Sequence, residues 1–248
     1  MSYTESYVAF LDILGFKNII NNYSFEEILM IFKKIKQAKD DVKWAIYRAC
    51  DEDDISLVNY NKALSDSKIT IMSDSIIVST PCMYKESLSA TIDICWFILY
   101  LLYEFEEPIL LRGAISKGTM YQNEEITFGK GMVDAYLMQE NFSIYPRIIL
   151  KQELLDNFED ISLKWDEKSK LILAEDGYYY IDCLYEFLDL PDDVFAQENA
   201  DKICDYIDNT IHENESNERI VEKMIWMKHE YQRCVNLILK KRLYEKEK

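Results

Sequence analysis

The sequence predicts an α+β fold, in which an antiparallel-rich sheet is flanked by helices and followed by a helical C-terminal extension. Short apolar runs rich in β-branched residues alternate with stretches of helical spacing as far as about residue 184. From about Asp192 onward, apolar residues recur at helical spacing alone. Glycine and proline are scarce, at 6 and 4 residues, so long flexible linkers are not expected. We therefore predict one domain over residues 1–184 and a helical extension over residues 185–248.

The chain opens with a predicted strand, which is followed by a helix. Tyr7–Ile13 is apolar and β-rich, as is typical of a central strand, and Gly15 ends it. Apolar residues then recur at helical spacing over Phe25–Lys39. Ser24 and Glu27 have the spacing of a capping box, in which each side chain bonds the backbone N–H of the other.

A hairpin and a buried helix are predicted next. Lys68–Met72 and Ser75–Thr80 are short β-rich runs, and Ser73-Asp74 between them forms the predicted turn. The helical pattern from about Lys85 to Phe105 contains Ile92–Tyr103, an apolar run of about a dozen residues. That run is too short to cross a bilayer, so it predicts a buried helix.

The remainder of the predicted domain repeats these strand and helix signals. Gly118 is expected to end the next strand, and Glu175-Asp176-Gly177 is expected to turn a second hairpin. The order β-α-β-β-α-β is that of a ferredoxin-like core. The elements predicted after Phe105 are strands Ile109–Ser116, Pro146–Leu150, Leu171–Ala174 and Tyr178–Leu184, a turn within Ile126–Gly131, and helices Met132–Glu140, Gln152–Phe158 and Ser216–Lys246.

Charge and cysteine content exclude several classes of function. With 45 acidic and 28 basic residues, the net charge is −17, which repels phosphate backbones and anionic lipid and argues against nucleic-acid and membrane partners. The acidic run Asp51–Asp54 lacks the glycine and terminal glutamate of a calcium loop, so it predicts a solvated loop. The six cysteines form no C-x-x-C pair and only two histidines accompany them, so no zinc site is expected. Reduced thiols and an N-terminus without a signal-peptide pattern indicate a cytoplasmic protein.

Two aspartates are the candidate metal ligands. Asp12 lies at the C-terminal end of the first strand, where burial of a carboxylate is costly unless a cation or strong donors compensate it. Asp74 lies in the hairpin turn, which in this topology can lie beside the end of the first strand. Each alone could be an ordinary loop or turn aspartate, whereas together they could hold two divalent ions. The turn at Gly15 offers backbone N–H groups for phosphate oxygens.

Four segments resemble, in order, the signatures of class III adenylate and guanylate cyclases. The segment Phe10–Phe16, F-L-D-I-L-G-F, resembles the family's F-x-D-I-x-G-F and is the most specific of the four. Lys68–Asp74 is similar to K-I-K-T-I-G-D. The other two segments are Arg112–Gly118, similar to R-I-G-I-H-T-G, and Phe128–Ala135, similar to W-G-x-x-V-N-x-A.

The resemblance implies a nucleotide cyclase, in which a ribose 3′-hydroxyl attacks the α-phosphate and pyrophosphate leaves. It implies two Mn²⁺ or Mg²⁺ ions and a homodimer whose protomers share each active site. From the residues alone, Arg112 and Lys117 could hold a triphosphate or form surface ion pairs. The implied metal ligands are Asp12, Ile13 and Asp74, and the implied triphosphate ligands are Leu14, Gly15, Phe16, Arg112 and Lys117.

The sequence departs from the purine cyclases of this family at four positions. Thr70 and Ile126 stand at the two base-selecting positions, where the family reads adenine or guanine. Val133 and Leu137 stand where the family has a transition-state Asn and Arg. With these departures, the chain most resembles the bacterial pyrimidine cyclases of the Pycsar antiphage system. That resemblance implies conversion of UTP or CTP into cyclic UMP or cyclic CMP, which would activate a separate effector.

Two other functions fit parts of the sequence. A degenerate cyclase-like domain that binds a nucleotide or a partner without turnover would explain Val133 and Leu137, which donate no hydrogen bonds from their side chains. A two-metal nuclease or phosphodiesterase would also use Asp12 and Asp74. The acidic composition argues against a nucleic-acid substrate for such an enzyme, but not against a small nucleotide.

Overall fold

The computed structural model describes residues 3–49, 55–123, 125–156, 158, 170–190 and 193–246, and its fold is α+β, as the sequence predicts. The chain forms two compact units. The first comprises Met1–Leu102 and Leu110–Ile181, and the second comprises Tyr103–Ile109 and Asp182–Lys248. The acidic run Asp51–Asp54 lies outside the described residues.

One sheet forms the centre of the first unit. Its strands are β1 (Thr4–Ile13), β2 (Lys68–Met72), β3 (Ser75–Pro81), β4 (Leu111–Gln122), β5 (Thr127–Phe128), β6 (Ile148–Leu150), β7 (Leu171–Leu173) and β8 (Tyr179–Ile181). Their order is β2-β3-β1-β4-β6-β8-β7, with β5 paired to β4. The neighbours β2, β3, β1 and β4 are all antiparallel. This order, with the connections β-α-β-β-α-β, is the ferredoxin-like arrangement and confirms the predicted core.

Helices connect these strands and cover the sheet. The helices of this part of the chain are α1 (Phe16–Asn22), α2 (Phe25–Ala49), α3 (Ile55–Asp66), α4 (Ser87–Tyr103) and α5 (Lys130–Phe142). The capping box is confirmed: Ser24 N–H donates to Glu27 Oε2 at 2.7 Å, and Glu27 N–H donates to Ser24 Oγ at 3.3 Å. α4 is buried on nearly all sides, because few of its residues are charged. No helix in the described part of the chain is long and apolar enough to cross a membrane.

The second unit is helical, as predicted for the C-terminal part of the chain. It contains α6 (Leu184–Leu188), α7 (Asp193–Glu213) and α8 (Glu218–Lys246). α8 packs against α6 and α7, and it buries Met224 and Met227 on one face. Arg233 Nη2 donates to Asp182 Oδ2 at 2.8 Å, which ties α8 to the start of this unit.

The prediction that Gly118 ends a strand is wrong. β4 starts at Leu111 and continues through Gly118 to Gln122. A Cβ atom at Gly118 would lie 2.8 Å from the backbone N of Gly131 and 2.9 Å from its Cα. The glycine is therefore required by the close approach of α5 to the strand rather than by a turn.

Other predicted boundaries are also corrected by the structure. The strand predicted over Pro146–Leu150 is paired only from Ile148, since proline has no N–H to donate to a ladder. The strand predicted to reach Leu184 ends at Ile181, because Asp182 Oδ1 accepts the N–H of Tyr185 at 3.3 Å and starts α6. The helix predicted from Gln152 is a 3-10 helix over Gln152–Leu154, and the predicted turn Ile126–Gly131 contains β5 and the start of α5. The helices α1 and α3 were not predicted.

Gly118→Ala is expected to destabilise the protein by about 1–3 kcal/mol, because the added methyl group meets backbone atoms that have no rotamer to adopt. The change would be measured as a shift in the urea unfolding midpoint. Thr119→Ala, at the next position of the strand, is the control and should shift the midpoint much less. An unchanged midpoint for Gly118→Ala would contradict the close packing of α5 on β4.

Candidate active site

Asp12 lies at the end of β1 on the face of the sheet that α5 covers. Side chains alternate along a strand, so Asp12 shares its face with Val8 and Phe10. Val8 and Phe10 belong to a buried cluster with Ala135 of α5. The Asp12 side chain is 20% exposed, and its Oδ2 accepts a hydrogen bond from Arg112 Nε at 2.8 Å. The carboxylate is thus only partly buried, and one cation compensates it.

The hairpin of β2 and β3 brings Asp74 to the same end of β1. Ile13 N–H donates to the backbone oxygen of Asp74 at 2.9 Å, and Asp12 stands opposite Ser75 in the register. Ser73 makes this tight turn with a left-handed backbone, at φ 59°. Asp74 is half-buried. The structure therefore brings Asp12, Ile13 and Asp74 together through backbone pairing.

A turn at Gly15 follows Asp12 and leads into α1. Gly15 adopts φ 73°, and a Cβ atom there would meet nothing within 4 Å, so the glycine is required by its backbone conformation rather than by lack of space. Leu14 N–H donates to the backbone oxygen of Leu110 at 2.9 Å and is not available to a ligand. Gly15 precedes α1 and Phe16 is its first residue, and the first N–H groups of a helix have no partner within that helix. Only these two N–H groups of the predicted phosphate turn remain as candidate donors.

The two predicted cations lie on opposite faces of β4. Arg112 stands opposite Asp12, and its guanidinium is 28% exposed. Lys117 is five positions after Arg112 in a strand whose pairing with β1 is uninterrupted. Its side chain therefore projects from the other face of the sheet. Its Nζ lies 3.3 Å from Glu5 Oε2 and 5.9 Å from the ring centroid of Tyr7. The structure therefore brings Arg112, but not Lys117, to Asp12 within one chain.

Tyr136 and Glu140 of α5 add two polar side chains to the surroundings of Arg112. Tyr136 packs edge-on against Phe10, with 5.3 Å between ring centroids. A hydrogen bond to Glu140 raises the pKa of Tyr136, and the nearby charge of Arg112 opposes that rise. Tyr136 and Glu140 were not predicted as site residues, because nothing in the local sequence shows which residues of α5 lie above Arg112.

The apolar residues at the remaining family positions are exposed. Val133 and Leu137 on α5 are 49% and 47% exposed, and Ile126 before β5 is 53% exposed. Phe128 and Phe142 are exposed to a similar extent. α5 and the segment before it thus present an apolar surface to solvent in the single chain.

Gln122 contacts Thr70 and was not predicted as a site residue. Gln122 Nε2 donates to Thr70 Oγ1 at 2.7 Å, while Ile126 bonds only Asn123 through its backbone N–H and carbonyl. Gln122 was missed because β4 was expected to end at Gly118, which placed this residue outside any strand. Of the two predicted base-selecting residues, the structure thus connects Thr70 to a buried polar partner, whereas Ile126 has none from its side chain.

The donor set at the end of β1 suits a hard divalent cation. Carboxylate and carbonyl oxygens are the ligands that Mg²⁺ and Mn²⁺ prefer. Asp12, Asp74 and the backbone of Ile13 supply such oxygens. Among the described residues no group of three or more His, Cys, Asp or Glu side chains could hold a metal, so phosphate and water oxygens would have to complete the coordination. The residues therefore fit a metal that arrives with a nucleoside triphosphate.

Several solved structures that are similar to this chain are nucleotide cyclase domains. No protein-family model and no curated protein matches the chain. The monomeric guanylyl cyclase domain of the RhoGC fusion protein from the aquatic fungus Blastocladiella emersonii matches with a TM-score of 0.43 and 16% identity, over 72% of this chain and 95% of that domain. The adenylyl cyclase CyaB from P. aeruginosa matches with a TM-score of 0.42 and 13% identity, over 72% and 94%.

The catalytic core of a rhodopsin-guanylyl cyclase with converted specificity, in complex with ATPαS, matches with a TM-score of 0.45 and 15% identity, over 73% of this chain and 96% of that core. Similarity at this level carries no argument about activity.

The pairing of Asp12 with Arg112 should contribute little to stability, since both side chains are partly exposed. A double-mutant cycle of Asp12→Ala and Arg112→Ala, followed by urea unfolding, should give a coupling energy of about 1 kcal/mol or less. Each variant should keep the far-ultraviolet circular dichroism of the parent. A coupling energy above about 3 kcal/mol would indicate instead that the pair is retained for folding.

Proposed function

We propose that the protein is a class III-type nucleotide cyclase that converts UTP or CTP into the 3′,5′-cyclic monophosphate and pyrophosphate. The observation that carries this proposal is the meeting of Asp12 and Asp74 at one end of the sheet, directly before the N-terminus of α1. The backbone pairing that brings these residues together requires no carboxylate at either position. A bound cation explains why both residues are aspartates.

Each residue of the site has a role in this reaction. Divalent ions, Mn²⁺ or Mg²⁺, would neutralise the triphosphate and favour ionisation of the 3′-hydroxyl when bound. Asp12, Asp74 and the Ile13 carbonyl would hold them at the end of β1. The N–H groups of Gly15 and Phe16 bind phosphate oxygens, and Arg112 adds a cation with a fixed orientation. Lys117 does not contribute to the triphosphate site of its own chain, because its side chain projects from the opposite face of β4.

The active form is a homodimer in this proposal. The apolar surface of α5, with Val133 and Leu137 about half exposed, is unusual for a helix that faces only water. A second copy placed against this surface would cover it and would bring its own residues toward the nucleotide. The resemblance to class III cyclases supports this arrangement, since sites in that family form between two protomers.

The base is a pyrimidine in this proposal. Thr70 and Ile126 lack the charged groups with which purine cyclases of the family read adenine and guanine. A neutral hydroxyl such as that of Thr70 can form a hydrogen bond with the carbonyl or the amino group of a pyrimidine. The resemblance to the Pycsar cyclases extends the proposal to a role in antiphage defence, in which the cyclic product activates a separate effector.

A degenerate cyclase-like domain is the second candidate. It is favoured by Val133 and Leu137, which stand at the family's transition-state positions and donate no hydrogen bonds from their side chains. Such a domain would bind a nucleoside triphosphate without releasing pyrophosphate. Turnover therefore separates the two candidates.

Pure protein incubated with Mn²⁺ and equal concentrations of the four ribonucleoside triphosphates should release mainly cyclic UMP or cyclic CMP, identified by mass spectrometry. Asp12→Ala and Asp74→Ala should each lower the rate by at least about a hundredfold, since each removes a charged metal ligand. Asp208→Ala, which removes an exposed carboxylate paired with Lys228, is the matched control and should keep full activity. Full activity of either site variant would refute the metal assignment, and mainly cyclic AMP or cyclic GMP would refute the pyrimidine assignment.

Val133→Asp should convert the dimer to a monomer and abolish turnover, because it places a charge in the proposed apolar interface. The measurement is sedimentation velocity combined with the same product assay. Val194→Asp, at a valine on α7 that is 66% exposed against 49% for Val133, is the control and should remain dimeric and active. An active parent protein that sediments only as a monomer would contradict the shared site.

A further inference from the structure

Arg112 is attached to Asp12 by a single hydrogen bond. Its Nε donates to Asp12 Oδ2 at 2.8 Å, and no other atom of this guanidinium forms a hydrogen bond in the part of the chain that the structure describes. The two side chains are 28% and 20% exposed. Strong arginine–carboxylate pairs form two parallel hydrogen bonds, whereas one bond between partly exposed ions contributes little. The pair therefore opens at little cost.

The end of the sheet that carries this pair has more negative than positive charge. Arg112 stands opposite Asp12 in the register of β1 and β4. Ile13 N–H donates to the backbone oxygen of Asp74, so the second aspartate lies at this end too. Among the described residues, Arg112 is the only cation that pairs with either aspartate. One guanidinium compensates one of the two carboxylates, so a further cation is still favoured there.

A divalent ion at Asp12 would share one carboxylate with the guanidinium of Arg112. Oδ2 already accepts the Arg112 hydrogen bond, and Oδ1 is its neighbour in the same group. Like charges this close repel each other whichever oxygen the ion takes. The sign of the effect is therefore independent of the coordination geometry: each cation weakens the binding of the other.

We infer that Arg112 and a divalent ion compete for Asp12, so that binding of the ion releases the guanidinium and leaves it free for phosphate oxygens of the nucleotide. A guanidinium binds phosphate through the same N–H groups that it offers to a carboxylate. Metal binding at Asp12 and phosphate binding by Arg112 are then coupled. This inference rests on the proposed function, since it uses the metal site of that proposal.

Binding of Mn²⁺ alone, measured from the electron paramagnetic resonance signal of the free ion, tests the competition. Arg112→Ala should bind Mn²⁺ at least about threefold more tightly than the parent protein, because a positive charge beside the site is removed. Asp12→Ala should lose this binding. Arg219→Ala, which removes an exposed arginine on α8, is the matched control and should keep the parent affinity.

Nuclear magnetic resonance of the Arg112 Nε–H group in the parent protein tests the release itself. The chain has six arginines, so arginine-selective labelling gives few signals, and Arg112→Lys identifies the one from Arg112. Mg²⁺, at concentrations that displace Mn²⁺ from the site, should shift this signal and speed exchange of the proton with water, because the proton loses its acceptor. Arg233 is an internal control, since its Nε donates to Glu230 Oε2 at 2.9 Å and its signal should not change.

The outcomes separate this inference from the proposed function. Loss of turnover in Asp12→Ala, with Mn²⁺ affinity unchanged or weaker in Arg112→Ala, would retain the cyclase and overturn the competition. An Arg112 signal that does not respond while Mg²⁺ occupies the site, or no Mn²⁺ binding by any variant, would overturn it as well. Tighter binding in Arg112→Ala that depends on Asp12, in a protein that forms no cyclic product, would refute the cyclase and retain the competition.

Discussion

The site depends on the register of β1 between β3 and β4. This pairing places Asp12 opposite both Ser75 and Arg112, and it lets Ile13 bond the backbone of Asp74. A slip of one residue would move the Asp12 side chain to the other face of the sheet, away from α5 and from the guanidinium. The chemistry proposed for this protein is therefore a consequence of strand pairing first and of individual side chains second.

The packing of α5 gives this face of the sheet its second constraint. Glycine faces glycine where α5 crosses β4, since a Cβ atom at Gly131 would lie 2.8 Å from Val8 Cγ2 and one at Gly118 would meet the backbone of Gly131. The close approach directs Tyr136 toward Phe10 and Arg112. It also leaves Val133 and Leu137 exposed on the far side of the helix. The contact between Gly118 and Gly131 thus positions the polar side chains around Asp12. It also positions the apolar surface proposed for dimerisation.

The sequence predicted those helices and strands whose signals come from residues close together in the chain. The apolar, β-rich run of β1, the capping box of Ser24 and Glu27, and the helical spacing of α2 are each signals between residues close in the chain. Gly118 was misassigned because a glycine required by contact with a helix that begins at Lys130 looks the same in sequence as one required by a turn. Gln122 was missed for a related reason: its partners Thr70 and Ser79 are distant in the chain, and only the tertiary structure brings them together.

The central claim is that Asp12 and Asp74 together hold divalent metal ions with the nucleotide. Anomalous diffraction from crystals grown with Mn²⁺ and a non-hydrolysable UTP analogue tests it most directly. The account predicts anomalous peaks within coordination distance of both carboxylates and of the analogue's phosphate oxygens, about 2.0–2.3 Å. Manganese bound elsewhere, with Asp12 still paired only to Arg112 while the nucleotide is present, would contradict it.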